Sequence, residues 1–396
     1  MSFNDDKYIN CYFTRYLQED QPSMNQYWRF FYIVPVTMMH LISLSTHMVI
    51  LLSKEQMIDF AYMLPPFLVS TLKAMIIIPN TAEISAIIKD LGILWRTDFT
   101  EAQNVGKNAL LKKLNFYTAV FYWVSVFGTS QYLFSPMLET LFRRFVLKQH
   151  CDLLLPIAAS YPFNPAKNWM IYVPVYSLQC YSSKFLHIII FISLRKKSID
   201  VFLLVSIYMG PELLIITLCA LLGAEFMMLE DDLSRAKPTL NQDRGNIEEN
   251  EYSIDEFVKR HQKLIRLSRQ LDNVFNRMIF TDLLFVGVTT CAFSFAGELA
   301  RGPTYTLNNY IAVASSMLTV LCLCYFGELL TRASAHLGDV AYQNLWYRAG
   351  SHYKRATWLI IKISQNPCCL TSLKYAVVSL NLFTKVLKLL YDKCFI

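Results

Sequence analysis

The chain has 396 residues, of which 54% are hydrophobic and 17% charged, with a formal net charge of +7. A soluble domain carries roughly 45–50% apolar and about 25% charged residues. Here residues 30–52, 116–133 and 307–327 lack any Asp, Glu, Lys or Arg, so each run is long enough to cross a bilayer. That pattern excludes a soluble enzyme and a disordered chain, gives no reason to expect nucleic acid as a partner, and predicts an all-α integral membrane protein.

Residues 1–28 form a polar, aromatic arm without the basic segment, short apolar core and small-residue cleavage site of a signal peptide. Span one, 29–52, is therefore expected to stay as an anchor. His40 and His47 share a face of it, with no third ligand in view to make a metal site. Span two, 58–79, is broken at Pro65-Pro66. Carbonyls freed by such a break must meet protein or water, which points to a cavity around Tyr62, Met63 and Phe67. Residues 80–113 are polar and helix-compatible, and read as an extension of spans two and three into the cytosol.

Span three covers 114–134, with Phe127, Gln131 and Tyr132 at its far end. An outer loop, 135–172, follows, carrying Pro156, Pro162 and Pro165 and ending in an aromatic cluster that includes Tyr172. Residues 173–229 hold span four, interrupted by Arg195-Lys196-Lys197 and carrying Glu212 and Glu225. One interrupted helix and two crossings joined by a basic turn both fit this stretch. Residues 231–276 are strongly charged and read as a solvated amphipathic helix. Spans five and six cover 277–299 and 307–330. Glu328 and Arg332, spaced i, i+4, fit a helix-stabilising ion pair. Residues 331–370 form a polar, aromatic helical stretch.

The last segment, 371–396, carries a stripe. At 100° per residue Lys374, Asn381, Lys385, Lys388 and Asp392 fall on one side, and Ala376, Leu380, Phe383, Leu387, Leu390 and Cys394 on the other. Charges at membrane depth must meet water or a partner. The stripe fits either a spanning helix beside a wet pore or a helix lying flat in the headgroups. The count of spans favours the first.

Basic residues set the orientation. The amino-terminal arm, 80–113, 231–276 and 331–369 hold several times as many Lys and Arg as the alternate loops. Seven transmembrane helices then run with the amino terminus cytosolic and the carboxyl terminus extracellular. An even number of crossings must separate 80–113 from 231–276, so 184–200 reads as an insertion within span four. The ten cysteines show no zinc-type spacing, and most read as packing residues. No Asn-x-Ser/Thr sequon marks a loop, and no phosphate loop, His-Glu-x-x-His or Gly-x-Ser-x-Gly motif is present. No cofactor, metal or catalytic residue is expected.

In this layout the motifs resemble those of insect odorant receptors, over nearly the full length and in the form of a tuning subunit. The residues that carry the resemblance are Cys324-Tyr325-Phe326-Gly327-Glu328-Leu329-Leu330, then Ser334, Ala341-Tyr342, Trp346 and Tyr347. Thr357 to Ser364, Pro367 and the Ser379, Phe383, Lys385-Val386-Leu387-Lys388, Tyr391 tail follow. Tyr161-Pro162-Phe163 and His261-Gln262 match two further family features. One departure is the stretch 183–199, placed where the family runs straight from the Tyr176-Ser177-Leu178-Gln179 segment into the second half of span four. It reads as a genuine elaboration or as translated intron sequence, and the basic Arg195 to Lys197 favour the latter. The other departure is Lys385 and Lys388, whose like charge would slow cations in the pore.

The resemblance implies a tetrameric cation channel, a tuning subunit joined to the odorant receptor co-receptor in a heterotetramer at the plasma membrane of an olfactory neuron's dendrite. It implies a volatile ligand held between spans two, three, four and six by Tyr62, Met63, Phe67, Phe127, Gln131, Tyr132, Tyr172, Tyr176, Tyr310, Ala314 and Ser315. It places cytosolic subunit anchors at Trp346, Tyr347 and Trp358. Permeant cations would pass the last helix at Asn381, Lys385, Lys388 and Asp392, with a gate at Tyr391, Phe395 and Ile396. A gustatory-type receptor channel shares the architecture but lacks its Thr-Tyr…Gln-Phe signature here. A G-protein-coupled receptor would place the amino terminus outside and carry Asp-Arg-Tyr. A transporter would show paired broken helices.

Overall fold

Long helices carry the structure, a computed structural model that describes residues 68–69, 72–73, 75–95, 101–146, 148, 170–174, 210–235, 254–298 and 303–394. Span one, Tyr62, Met63, Phe67, Tyr176, the 183–199 segment, Phe395 and Ile396 lie outside the described residues. A helical stretch ending in the turn Ile78–Asn80 leads into α1 (Thr81–Leu94). α2 (Glu101–Leu141) ends in a π-turn, Phe142–Val146; α3 is Gly210–Arg235, α4 Ile254–Glu298 and α5 Pro303–Gln343. A 3-10 turn, Trp346–Arg348, separates α5 from α6 (Ser351–Ser364), and α7 is Leu380–Cys394. Pro303 sits at the first position of α5, where its missing N–H costs nothing.

Among the described residues Pro211–Arg235, Ile254–Glu298 and Thr306–Gln343 are long and apolar enough to cross a membrane. At 1.5 Å per residue α4 and α5 are each more than about 60 Å long, so each reaches well beyond a bilayer. The expected polar extensions are therefore continuous with their spans: 254–276 with span five, and 331–343 with span six. α2 likewise runs through Pro136 to Leu141, into the stretch expected as an outer loop from 135.

α5 is the central element, packing on α2, α3, α4, α6 and α7. The core follows its seams: Phe226, Leu222 and Leu229 of α3, Leu271, Phe275 and Met278 of α4, and Leu323, Phe326 and Leu337 of α5 are fully buried. Tyr117 of α2 meets Phe326 edge-on, with ring centroids 5.6 Å apart. Below this layer Glu225 pairs with Arg260 at 2.8 Å, and the same guanidinium donates to the Leu94 carbonyl at 2.6 Å, tying α1, α3 and α4 together. Next to Arg260 on α4, His261 stands edge-on to Phe226 at 6.2 Å, and burial pushes its imidazole down to about 4.

The segment after α6 departs from the helix expected over 371–396. Thr371–Ser372 pairs with Ala376–Val377 in a two-residue antiparallel hairpin. Leu373 and Lys374 turn it with φ of 49° and 64°, a conformation that costs a non-glycine residue roughly 1–2 kcal/mol. Asp272 offsets the strain. Its Oδ1 accepts the Thr371 N–H at 2.7 Å and the Thr371 hydroxyl at 2.8 Å, and its Oδ2 pairs with Lys374. Lys374 therefore leaves the polar stripe and Ala376 leaves the apolar side. The helix begins only at Leu380.

Candidate functional site

Two places concentrate polar groups where the surroundings are apolar. The first is a cavity between the 68–73 stretch, α3, α4 and α5. Lys73 is the only charged residue in 60–79, and Asp282 the only one in 278–297. Glu212 enters from the Gly210-Pro211-Glu212 start of α3. Lys73 Nζ lies 2.7 Å from Asp282 Oδ1 and also pairs with Glu212 Oε1, and all three side chains are more than nine-tenths buried. Two carboxylates thus share one ammonium.

Each carboxylate has an oxygen to spare. Among the described residues, Glu212 Oε2 and Asp282 Oδ2 meet no donor, a cost of about 1–3 kcal/mol per buried acceptor. Both residues line a cavity of about 50 Å³, together with Val69, Phe285, Val286, Val320 and the hydroxyl residues Thr289, Ser315, Ser316 and Thr319. That is room for a few waters. The cavity lies about 20 Å in from the C-terminal end of α4 and the N-terminal end of α5.

Of the residues expected to hold a ligand, Ser315 lines this cavity. Ala314 beside it is exposed. Tyr310 lies nearer the N-terminal end of α5, 38% exposed, and donates to Glu298 Oε1 at 2.8 Å. Tyr172 is buried in the helical stretch 170–174, whereas Phe127 on α2 is 60% exposed. Gln131 and Tyr132 lie on α2, with their side chains outside the described residues. The described lining draws on α4, which carries the expected span five, as well as on α5 and α3.

The second place is α7. Leu390 is buried, and Leu380, Phe383 and Val386 pack against the core. Asn381, Lys385, Lys388, Tyr391 and Asp392 are exposed, as is Leu387 at 47%. The polar stripe is thus real from Asn381 onward and faces away from the chain's own bundle. The seat of this helix is on α5. Glu328 Oε2 accepts the Leu380 N–H at 2.8 Å, and Gly327 sits so close to Val378 that a Cβ there would meet its Cγ1 at 3.1 Å.

Beyond α5, the aromatic residues expected as subunit anchors are largely open. Tyr347 and Trp358 are 54% and 56% exposed, and Trp346 is half-buried, edge-on to Tyr347. The Lys362 ammonium lies 4.8 Å over the Trp358 ring. Cys219, Cys322, Cys324, Cys368 and Cys369 are free thiols, and Cys291 is disulfide-bonded.

The Lys73–Glu212–Asp282 cluster is the feature the sequence reading did not assemble. Its signal is a single ionisable residue in each of three apolar runs. Those runs are too far apart in the chain for spacing to join them.

The model of the 7tm odorant receptor family matches residues 53–391. Odorant receptor 67c of Drosophila melanogaster is 23% identical over 186 residues, 47% of this chain and 45% of that protein. Odorant receptor 85b of the same species is 24% identical over 176 residues, 44% of this chain and 45% of that protein. The chain's match thus spans less than half the length of these relatives. The structure of the insect olfactory receptor OR5 from Machilis hrabei superposes with a TM-score of 0.72 at 15% identity, covering 98% of each chain. The same receptor in complex with eugenol gives 0.70 at 15% identity, covering 98% of this chain and 97% of that one.

Proposed function

The chain belongs to the 7tm odorant receptor family and has the seven-helix membrane fold of an insect olfactory receptor, and from that premise we propose that it is a ligand-gated cation channel subunit. It is a multi-pass membrane protein of a receptor family rather than an enzyme family. A small volatile ligand binds in the outer half of the bundle. The subunit assembles with the odorant receptor co-receptor in a heterotetramer in the plasma membrane of the olfactory dendrite. The amino terminus and the α5–α6 end lie in the cytosol, and the C-terminal end of α4 lies outside.

The observation that carries this reading is the exposed polar stripe of α7. Asn381, Lys385, Lys388 and Asp392 face away from the chain's own core on a helix whose other side packs on it. Closed rings suit a shared central path, and such a ring gives the stripe water. Apolar side chains at the end of the helix gate by dewetting, with Tyr391, Phe395 and Ile396 at the constriction. Tyr347 and Trp358, open on a single subunit, supply contact area between neighbours. A ligand opens the channel by binding the open state more tightly than the closed one.

Voltage-clamp recording after co-expression with the co-receptor tests this. Ligand-evoked cation current independent of added G protein is expected. Current that requires a G-protein pathway would assign the chain to another receptor mechanism.

A further inference from the structure

We propose that the cavity at Lys73, Glu212 and Asp282 is a subsite for the ammonium group of a small protonated alkylamine. The binding itself does not rest on the channel reading above; any current it evokes does. The cavity is built almost wholly of acceptors. Among the described residues Lys73 is its one charged donor, and it is engaged by both Glu212 Oε1 and Asp282 Oδ1. One ammonium against two carboxyl groups leaves one of them without its own counter-charge among the described residues. The spare oxygens, Glu212 Oε2 and Asp282 Oδ2, are buried and without a donor among the described residues.

The hydroxyls do not fill that need. Thr289 donates to the Phe285 carbonyl at 2.7 Å, Ser315 to Ala312 at 2.9 Å, Ser316 to Val313 at 2.8 Å and Thr319 to Ser315 at 2.9 Å. Each hydroxyl spends its proton on its own helix and offers the cavity only lone pairs. A ligand that satisfies this lining must bring several N–H donors and one positive charge. An alkylamine does both, since it titrates near the lysine value of about 10.4 and is a cation at neutral pH. Val69, Phe285, Val286 and Val320 supply an apolar wall for its short chain. A neutral alcohol of the same size brings one donor and no charge.

The test compares n-butylammonium with 1-butanol on the purified full-length protein in lipid nanodiscs, at pH 7, by thermal shift. n-Butylammonium is expected to stabilise the protein at concentrations at least tenfold lower than 1-butanol. Asp282→Asn and Glu212→Gln are each expected to weaken that effect at least tenfold. If one variant fails to fold the other carries the comparison, and the contrast of amine and alcohol on the unaltered chain needs neither. Equal action of amine and alcohol, undiminished binding by both variants, or displacement of the amine by sodium at equal concentration would overturn the subsite. Currents recorded with the co-receptor separate the two claims. Gating by neutral volatiles without amine binding removes the subsite and leaves the channel. Amine binding without current from any ligand leaves the subsite and removes the channel.

Discussion

Glu328 of α5 holds the first residue of α7: its Oε2 accepts the Leu380 N–H at 2.8 Å, while its Oε1 pairs with Arg332. The first N–H groups of a helix have no partner within it, and a carboxylate there also meets the positive end of the helix dipole. The cap is supplied across the fold, by a helix other than the one it caps. Glu328→Ala should destabilise the protein by about 1 kcal/mol, read as a lower melting temperature of the solubilised full chain. Arg332 is 77% exposed, and Arg332→Ala should change stability by less than about 0.5 kcal/mol. Equal losses from the two would contradict the cap.

Two close approaches need glycine. A Cβ on Gly338 would lie 2.8 Å from the Ser364 Cβ, forcing α5 and α6 apart. A Cβ on Gly327 would press on the Val378 carbonyl at 3.3 Å and move the segment that leads into α7. Gly338→Ala should cost about 1–3 kcal/mol, the usual range for overpacking, seen in thermal melts. Gly338→Ala paired with Ser364→Gly should recover most of that loss.

His261 makes stability fall in mild acid. Burial holds its imidazole at about 4 in the folded chain, against an ordinary value of about 6.5. Between these values the unfolded chain binds more protons, so stability is full above pH of about 6.5 and declines as pH drops through the window. The loss approaches roughly 3 kcal/mol at the bottom of it. Denaturation curves from pH 7 to 4 should show a shallower decline for His261→Leu than for the unaltered chain. An identical decline would show that this imidazole is not the group being titrated.

Lys73 keeps two buried carboxylates apart. Lys73→Met leaves them facing each other without a counter-charge, which typically costs 3–5 kcal/mol, roughly, for a broken buried pair. Surface expression of Lys73→Met should collapse. Adding Glu212→Gln and Asp282→Asn removes the uncompensated charge and should restore much of it. Failure of the triple variant to recover would point to packing at Lys73 rather than charge.

Much of the architecture is legible in the sequence, because membrane spans announce themselves by uncharged length. The polar stripe of α7 from Asn381 to Asp392 is likewise a matter of helical period. The start of that helix is not. Nothing local to Thr371 and Lys374 forbids a helix; the hairpin there depends on Asp272, about a hundred residues earlier. The Tyr325-Phe326-Gly327-Glu328 run shows the converse. Its residues stand out in sequence, but their reasons are tertiary: Phe326 packs on Tyr117, Gly327 makes room for Val378 and Glu328 caps Leu380. The charged cluster at Lys73 was hidden for the same reason, since only the packing of three distant helices brings its members together.

The central claim is that the polar face of α7 lines water in the assembled channel. Asn381→Cys, Lys385→Cys and Lys388→Cys, each co-expressed with the co-receptor, should react with a water-soluble thiol reagent during ligand exposure and alter the current. Phe383→Cys and Leu390→Cys, on the packed face, should stay inert. Protection of all three polar-face positions in both resting and stimulated channels would contradict the claim.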